Sequence, residues 1–289
     1  MALGRYSDMN FARTATLTGG AWAAALPLSN LQDDARYVGA PARQLTPGTL
    51  ANSLFNAALD RPRAVNLIGV LFHTFGLNAV YRLRLASPGG TLDAPASITD
   101  WTPVYSRTVA SAQTPWEESN WWTGQPLASD LDVYPRHLWI RVTAPFLVSA
   151  LRLEFDDSAI AAGYFDIGGL WIASTWSPAF NFDRGRELRI EPRDQEDEAP
   201  SGRLFFEKRG SRRSLSVTWS ALTDAEGYRF AASAARAGRS TPVLFAPDTD
   251  DQLSLAHEAF PAVFAQTPGP RFHRDAQNTV SATFKEIIA

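Results

Sequence analysis

The sequence predicts a mainly β protein made of two β-rich domains, with one α-helix packed in the second. Three observations point there. Leu151, Leu153 and Phe155 alternate with Arg152 and Glu154, the period-two pattern of a half-buried strand. Beyond the turn-prone Asp156-Asp157-Ser158, residues 164–172 (YFDIGGLWI) read as a further strand, almost wholly apolar at its end. Two such runs joined by a loop, with aromatics on both, suggest neighbouring strands of a sandwich core. The best helix in the chain is residues 223–237, where Thr223 as N-cap and Glu226 three residues on form a capping box and Gly238 marks the stop.

In chain order, residues 14–17 form a short expected strand ended by Gly19-Gly20. Pro27 breaks 22–31, which reads as an extended lead into a loop at 32–35, and Gly39 and Pro41 make 36–44 irregular. Residues 64–74 (AVNLIGVLFHT) form a strong strand, and in 79–85 Tyr81, Leu83 and Leu85 alternate with Arg82 and Arg84. A turn follows at Ser87-Pro88-Gly89-Gly90. The pattern loosens over 91–135, a Trp-bearing stretch of the length that often carries contacts, before strands resume at Leu138. Residues 187–202 are charged and poor in apolar side chains, which sets the expected domain boundary, with Glu196-Asp197-Glu198 as a solvated linker. The expected organisation is therefore 1–186, a linker at 187–202, and 203–289. In the last segment Leu215, Val217 and Trp219 share one strand face. The Ala-rich helix body allows close approach to a sheet, and 241–246 and 278–288 supply further strands. No internal repeat of fixed period is visible.

Composition narrows the function classes. The chain has 289 residues and 45% hydrophobic content, enough for a sizeable core. A net charge of -3 argues against a sequence-wide nucleic-acid role. With no cysteine there is no disulfide, thiolate metal site or cysteine nucleophile. No stretch is long and apolar enough to span a bilayer, and the first residues lack a signal-peptide core, so a soluble protein made without a Sec-type signal is expected.

The order of features resembles a known family. The segments GGAW (19–22), LPLSNL (26–31), VLFH (70–73), AVYRLR (79–84), WTPV (101–104), NWWTG (120–124) and GYFDIGGLWI (163–172), with Pro178 and Asn181, resemble discoidin-like, galactose-binding-type jelly-roll domains. In particular they look like those of tail proteins of long-tailed bacteriophages. The resemblance covers roughly the first two-thirds of the chain. The remainder, a strand, a capped helix, PVLF (242–245) and a last strand ending KEIIA (285–289), is similar to small β-domains of tail-tube and baseplate proteins. The resemblance implies a non-enzymatic virion component near the tail tip or baseplate. It would be assembled in the bacterial host cytoplasm, and would form a ring with copies of itself and with other tail proteins. The alternative it leaves is a module that recognises host cell-surface glycans.

No catalytic residue is singled out. There is no G-x-S-x-G, phosphate-binding glycine loop or H-E-x-x-H, and Pro261 stands where His257-Glu258 would need its second histidine. No cofactor is implied. Asp156-Asp157 and Asp248, Asp250 and Asp251 read as turn chemistry. Asp33 and Asp34, beside Gln32, are weak metal candidates, because discoidin-like domains can hold a calcium near their early loops. Trp116, Trp121 and Trp122 with Asn120 form the candidate contact surface. They fit a sugar platform, an intersubunit contact, or a plug over one end of the sandwich, the last two ranking first. Arg203, Arg209, Arg212 and Arg213 around Lys208 read as a solvated or ion-paired surface.

Overall fold

The computed structural model describes residues 3–33, 37, 39–107, 114–131, 134–198, 201–207, 209–273 and 277–287, with the side chains of 144 and 145 excluded. The chain forms two compact units, each discontinuous in sequence. A sandwich unit comprises Met9–Thr175 with Asp250–His257, and a terminal unit comprises Met1–Asp8, Trp176–Thr249 and Glu258–Ile288. The expected segments 1–186, 187–202 and 203–289 do not coincide with these units. The chain changes unit between Thr175 and Trp176, and 187–202 contributes strands to the terminal unit. Composition misses this because those strands are acidic and exposed.

Strands are numbered in chain order. The first, β1 (Arg5–Ser7), belongs to the terminal unit. The sandwich unit contains β2 (Thr16–Thr18), β3 (Ala42–Gln44), β4 (Leu54–Leu71), β5 (Val80–Ala86) and β6 (Ser97–Ile98). It continues with β7 (Thr102–Pro103), β8 (His137–Asp156), β9 (Phe165–Ile167) and β10 (Gly169–Ala173). An antiparallel sheet runs β10-β4-β8-β5-β6, with β2 added on β4 and β7 on β5, while β3 pairs with β9. Register shifts between Ala58/Arg63 and Val65/Leu67 mark where the long β4–β8 ladder is interrupted, the device that curls a sheet.

The alternation seen in sequence is the packing. Leu151, Leu153 and Phe155 are fully buried, and Phe75 packs its ring 4.7 Å from Phe165 and 4.9 Å from Phe155. The two partners of Phe75 thus come from the strand and the apolar run that opened the sequence reading. Glu154, although mostly buried, is satisfied by Arg82 at 2.5 Å and Arg84 at 3.0 Å from β5. Gly69 sits opposite Trp139, and a Cβ there would lie 2.2 Å from Trp139 Cζ3, so only glycine lets the indole lie across the sheet. Strand β4 begins ten residues before the expected 64, because its first half is only partly buried and carries Asp60, Arg61, Pro62 and Arg63.

The terminal unit contains β1, β11 (Glu187–Glu191), β12 (Gln195–Glu198), β13 (Leu204–Glu207) and β14 (Arg212–Leu222). It also holds α1 (Asp224–Ala237), β15 (Val243–Ala246), β16 (Phe260–Phe264) and β17 (Asn278–Glu286). Its main sheet is ordered β1-β15-β16-β17-β14-β11. The predicted capping box is present: Glu226 N donates to Thr223 Oγ1 at 3.3 Å, and Thr223 N donates to Glu226 Oε2 at 2.9 Å. Helix α1 turns Phe230, Ala234 and Ala237 to the core, with Phe230 5.3 Å from both Tyr6 and Trp219. A second helix, α2 (Gln252–Glu258), was not expected, and its seven residues are too few for a clear periodic signal.

Candidate functional site

Two exposed features stand out, one in each unit. In the sandwich unit, the segment after β7 is held down by short hydrogen bonds. Gln125 Nε2 donates to the carbonyl of buried Tyr105 at 2.9 Å, and Asn120 Nδ2 donates to Gln125 O at 2.8 Å. Gly124, at φ 64°, donates its N–H to Asn120 O at 2.6 Å and closes the turn. Asn120 is therefore a scaffold residue rather than a contact residue. On this turn Trp121 and Trp122 meet edge to face, ring centroids 4.5 Å apart. Trp122 is 82% exposed and Trp116 76%. Trp116 makes no ring contact with either among the described residues. The plug reading does not fit side chains this exposed. Trp101 belongs elsewhere, stacked against Arg82 at 4.6 Å on the outer face of β5.

In the terminal unit, β12 and β13 form a hairpin of their own, and all eight of their residues are exposed. Cross-strand pairs Glu196–Phe206 and Glu198–Leu204 share one face, and Asp197–Phe205 takes the other. Both faces thus mix acid with a large apolar side chain, and neither is covered within the described residues. Arg209 braces the base, bonding Glu207 Oε2 at 3.0 Å, Gln195 Oε1 at 2.8 Å and, through its N–H, Asp194 Oδ1 at 2.9 Å. Edge strand β11 adds exposed Leu188 and Ile190. The acidic run read as a solvated linker is one strand of this hairpin. Its signal was present in Leu204-Phe205-Phe206 after Gly202, a β-prone run that the charged neighbourhood obscured.

The remaining candidates resolve into structural roles. Gln32 Nε2 donates to the carbonyls of Ala12 and Ala15, both at 2.7 Å, so its side chain braces the early loops. Asp33 N donates to Asn30 O at 3.2 Å, and Asp34 lies outside the described residues. No group of three or more histidine or carboxylate side chains that could hold a metal ion occurs among the described residues. Asp157 is 2% exposed and clamps Gly76 N at 2.8 Å through Oδ2, and burial pushes its carboxyl above the usual aspartate range. Asp251 Oδ1 accepts from Leu253 N at 3.0 Å, and Asp250 pairs with Arg141.

Three of the clustered arginines are ion-paired: Arg209 with Glu207, Arg212 Nη2 at 2.6 Å from Glu191, and Arg213 Nε at 2.9 Å from Glu286, while Arg203 lies 5.3 Å over the Phe205 ring. Lys208 lies outside the described residues. His73, fully enclosed, has its pKa driven well down by burial, with His137 and Arg136 adding repulsion. It lines a cavity of about 20 Å³ with Tyr105, Tyr134 and His137, room for about one water.

No family model matches the chain, and no curated protein matches it. Among solved structures it is similar to CBM32-1 from a family 31 glycoside hydrolase from Clostridium perfringens. The identity is 12%, over 57% of this chain and 97% of that chain, at a TM-score of 0.35. A likeness at that level leaves the chemistry of both exposed surfaces to their own residues.

Proposed function

We propose that the chain is a non-enzymatic assembly protein whose β12–β13 hairpin docks on a neighbouring subunit. In line with the family resemblance, we place it in the tail tip or baseplate of a long-tailed bacteriophage, as a ring-forming component of the virion. One observation carries this reading. A two-stranded hairpin is marginal in water without a third strand or a packed face, and this one presents Leu204, Phe205 and Phe206 at 46, 52 and 66% exposure. A partner surface would cover both faces and complete the edge at β11.

The test is light scattering of the purified chain beside the double variant Phe205→Ser/Phe206→Ser. Concentration-dependent oligomers that the variant lacks support the reading; a wild-type chain monomeric at high concentration sinks it. Immunogold labelling of tailed particles from the source organism addresses the virion location, and unlabelled tails count against it.

A second reading, glycan recognition, is favoured by the exposure of Trp116 and Trp122, since open indole faces suit sugar rings. Binding on a glycan array that Trp122→Ala abolishes without loss of folding supports it. No binding by the wild type ends it.

A further inference from the structure

The outer face of the terminal unit carries a trough of about 640 Å³ bounded by the 265–271 segment and strand β17. Its floor follows from the alternation of β17. Val280, Ala282 and Phe284 point into the core, so Thr279, Ser281, Thr283 and Lys285 point outward. Among the described residues, backbone hydrogen bonds tie the 265–271 segment to β17 at two places. Ala265 N donates to Thr283 O at 2.9 Å, and Arg271 and Thr279 exchange bonds of 2.8 and 3.0 Å. Between them the segment bows away as Gln266-Thr267-Pro268-Gly269-Pro270. Both prolines lack an N–H and cannot continue the ladder.

Ser281 is left opposite the bow. Thr218, its partner on β14, gives its carbonyl to Asp183 N at 2.8 Å, which faces away from β17. The Thr218–Ser281 pair is therefore of the type without mutual backbone bonds. The N–H and C=O of Ser281 consequently aim at the trough. Hydroxyls line the floor: Ser281 Oγ meets Thr218 Oγ1 at 3.0 Å and Thr283 Oγ1 meets Ser216 Oγ at 3.0 Å, each retaining bonding capacity.

Charge completes the picture. Among the described residues, the lining includes Arg271 and Lys285 and no aspartate or glutamate. They stand beside the two ends of the strand segment Thr279–Lys285, whose six residue-to-residue steps span roughly 20 Å at strand rise. Lys285 lies 3.9 Å from the Glu191 carboxylate, but Glu191 is engaged more closely by Arg212 at 2.6 Å.

We propose that this trough binds an extended acidic polysaccharide. Its acid groups would meet Arg271 and Lys285, and its hydroxyls would bond the Thr279–Ser281–Thr283 floor and the open Ser281 backbone. The absence of any aromatic ring in the lining among the described residues weighs against nucleic acid, which single-strand sites hold by stacking. The site is separate from Trp116 and Trp122, and it does not depend on the assembly reading.

The experiment is calorimetric titration of the full chain with polygalacturonate, alginate and hyaluronate, and with neutral dextran as control. It is repeated with Arg271→Gln/Lys285→Gln, with Thr279→Val/Thr283→Val, and with Trp122→Ala. The expected result is salt-sensitive binding of at least one acidic polymer and none of dextran. Affinity should fall about tenfold or more in the charge variant, fall in the hydroxyl variant, and stay unchanged in Trp122→Ala. The Phe205→Ser/Phe206→Ser variant should bind like wild type, which separates this site from the assembly surface. No binding to any acidic polymer, binding unaffected by the charge variant, or equal binding of single-stranded DNA would overturn the proposal.

Discussion

Replacing His73 with phenylalanine should remove a defined part of the acid sensitivity of this protein. The imidazole is 1% exposed, its Nδ1 has no hydrogen-bond partner among the described residues, and rings of Phe75 and Tyr105 flank it at 4.8 and 5.6 Å. Burial first, then His137 and Arg136, holds its folded pKa well below 6.5. The unfolded chain therefore binds the proton and the folded chain does not. Stability from this group is present above 6.5 and is lost as pH falls toward the folded value.

Between pH 7.5 and 5.5 the loss is about 1.4 kcal/mol, the charging free energy of one such histidine in the unfolded state. Phenylalanine suits the aromatic surroundings, and the adjoining cavity of about 20 Å³ eases its slightly larger ring. Urea denaturation of wild type and His73→Phe at pH 7.5, 6.5 and 5.5 measures the difference in slope, and the other three histidines act in both proteins. Parallel stability–pH curves would show that His73 takes up its proton as readily in the fold as in the unfolded chain and that the burial reasoning is wrong.

Gly69→Ala should destabilise the sandwich unit by about 1–3 kcal/mol through overpacking against Trp139, read as a lowered denaturation midpoint; an unchanged midpoint would mean the indole moves freely. Glu154→Gln leaves Arg82 and Arg84 facing a neutral amide at a mostly buried position. A loss of about 2–3 kcal/mol is expected, checked by the same denaturation series. Thr223→Ala removes the helix cap and should cost about 1 kcal/mol; since the cap belongs to the terminal unit, protection of α1 amides from hydrogen exchange should fall.

The sequence made visible those elements whose signal is local. The alternation at 151–155 and the capping box at Thr223 and Glu226 each depend on neighbours within a few residues, and both sit in the structure where expected. The apolar run at 64–74 was also visible, though the strand ends at Leu71 and extends well before 64, since half-exposed residues such as Asp60 and Arg63 give no period to read. Strand β1 is three residues long and exists because β15 pairs with it, a partner about 240 positions away that no local pattern announces.

The same limit applied to the surfaces. The tryptophans at 116, 121 and 122 were conspicuous by type, yet only the structure showed Asn120 turned inward and Trp122 left open. The hairpin strand at 195–198 has four polar residues in a row, so its extended form comes from pairing with Leu204–Glu207 rather than from its own propensity. By contrast, the polar–apolar alternation of 278–286 was legible, but not the bow in the facing segment that opens a trough beside it.

The pairing of β1 with β15 also orders events during synthesis. Arg5–Ser7 leave the ribosome well ahead of their partner strand, since Leu244, which pairs with Ser7, follows 237 residues later. At about 5–20 residues per second this is a wait of roughly 10–50 s. Over that interval the residues of the sandwich unit from Met9 to Thr175 are already available to fold. The buried ring of Tyr6, meanwhile, has neither Phe230 nor Phe284 to lie against. Closing so long a loop is slow relative to local folding. The terminal unit thus matures after residues 9–175 are available to fold, and β1 is the segment a chaperone would meet unpaired.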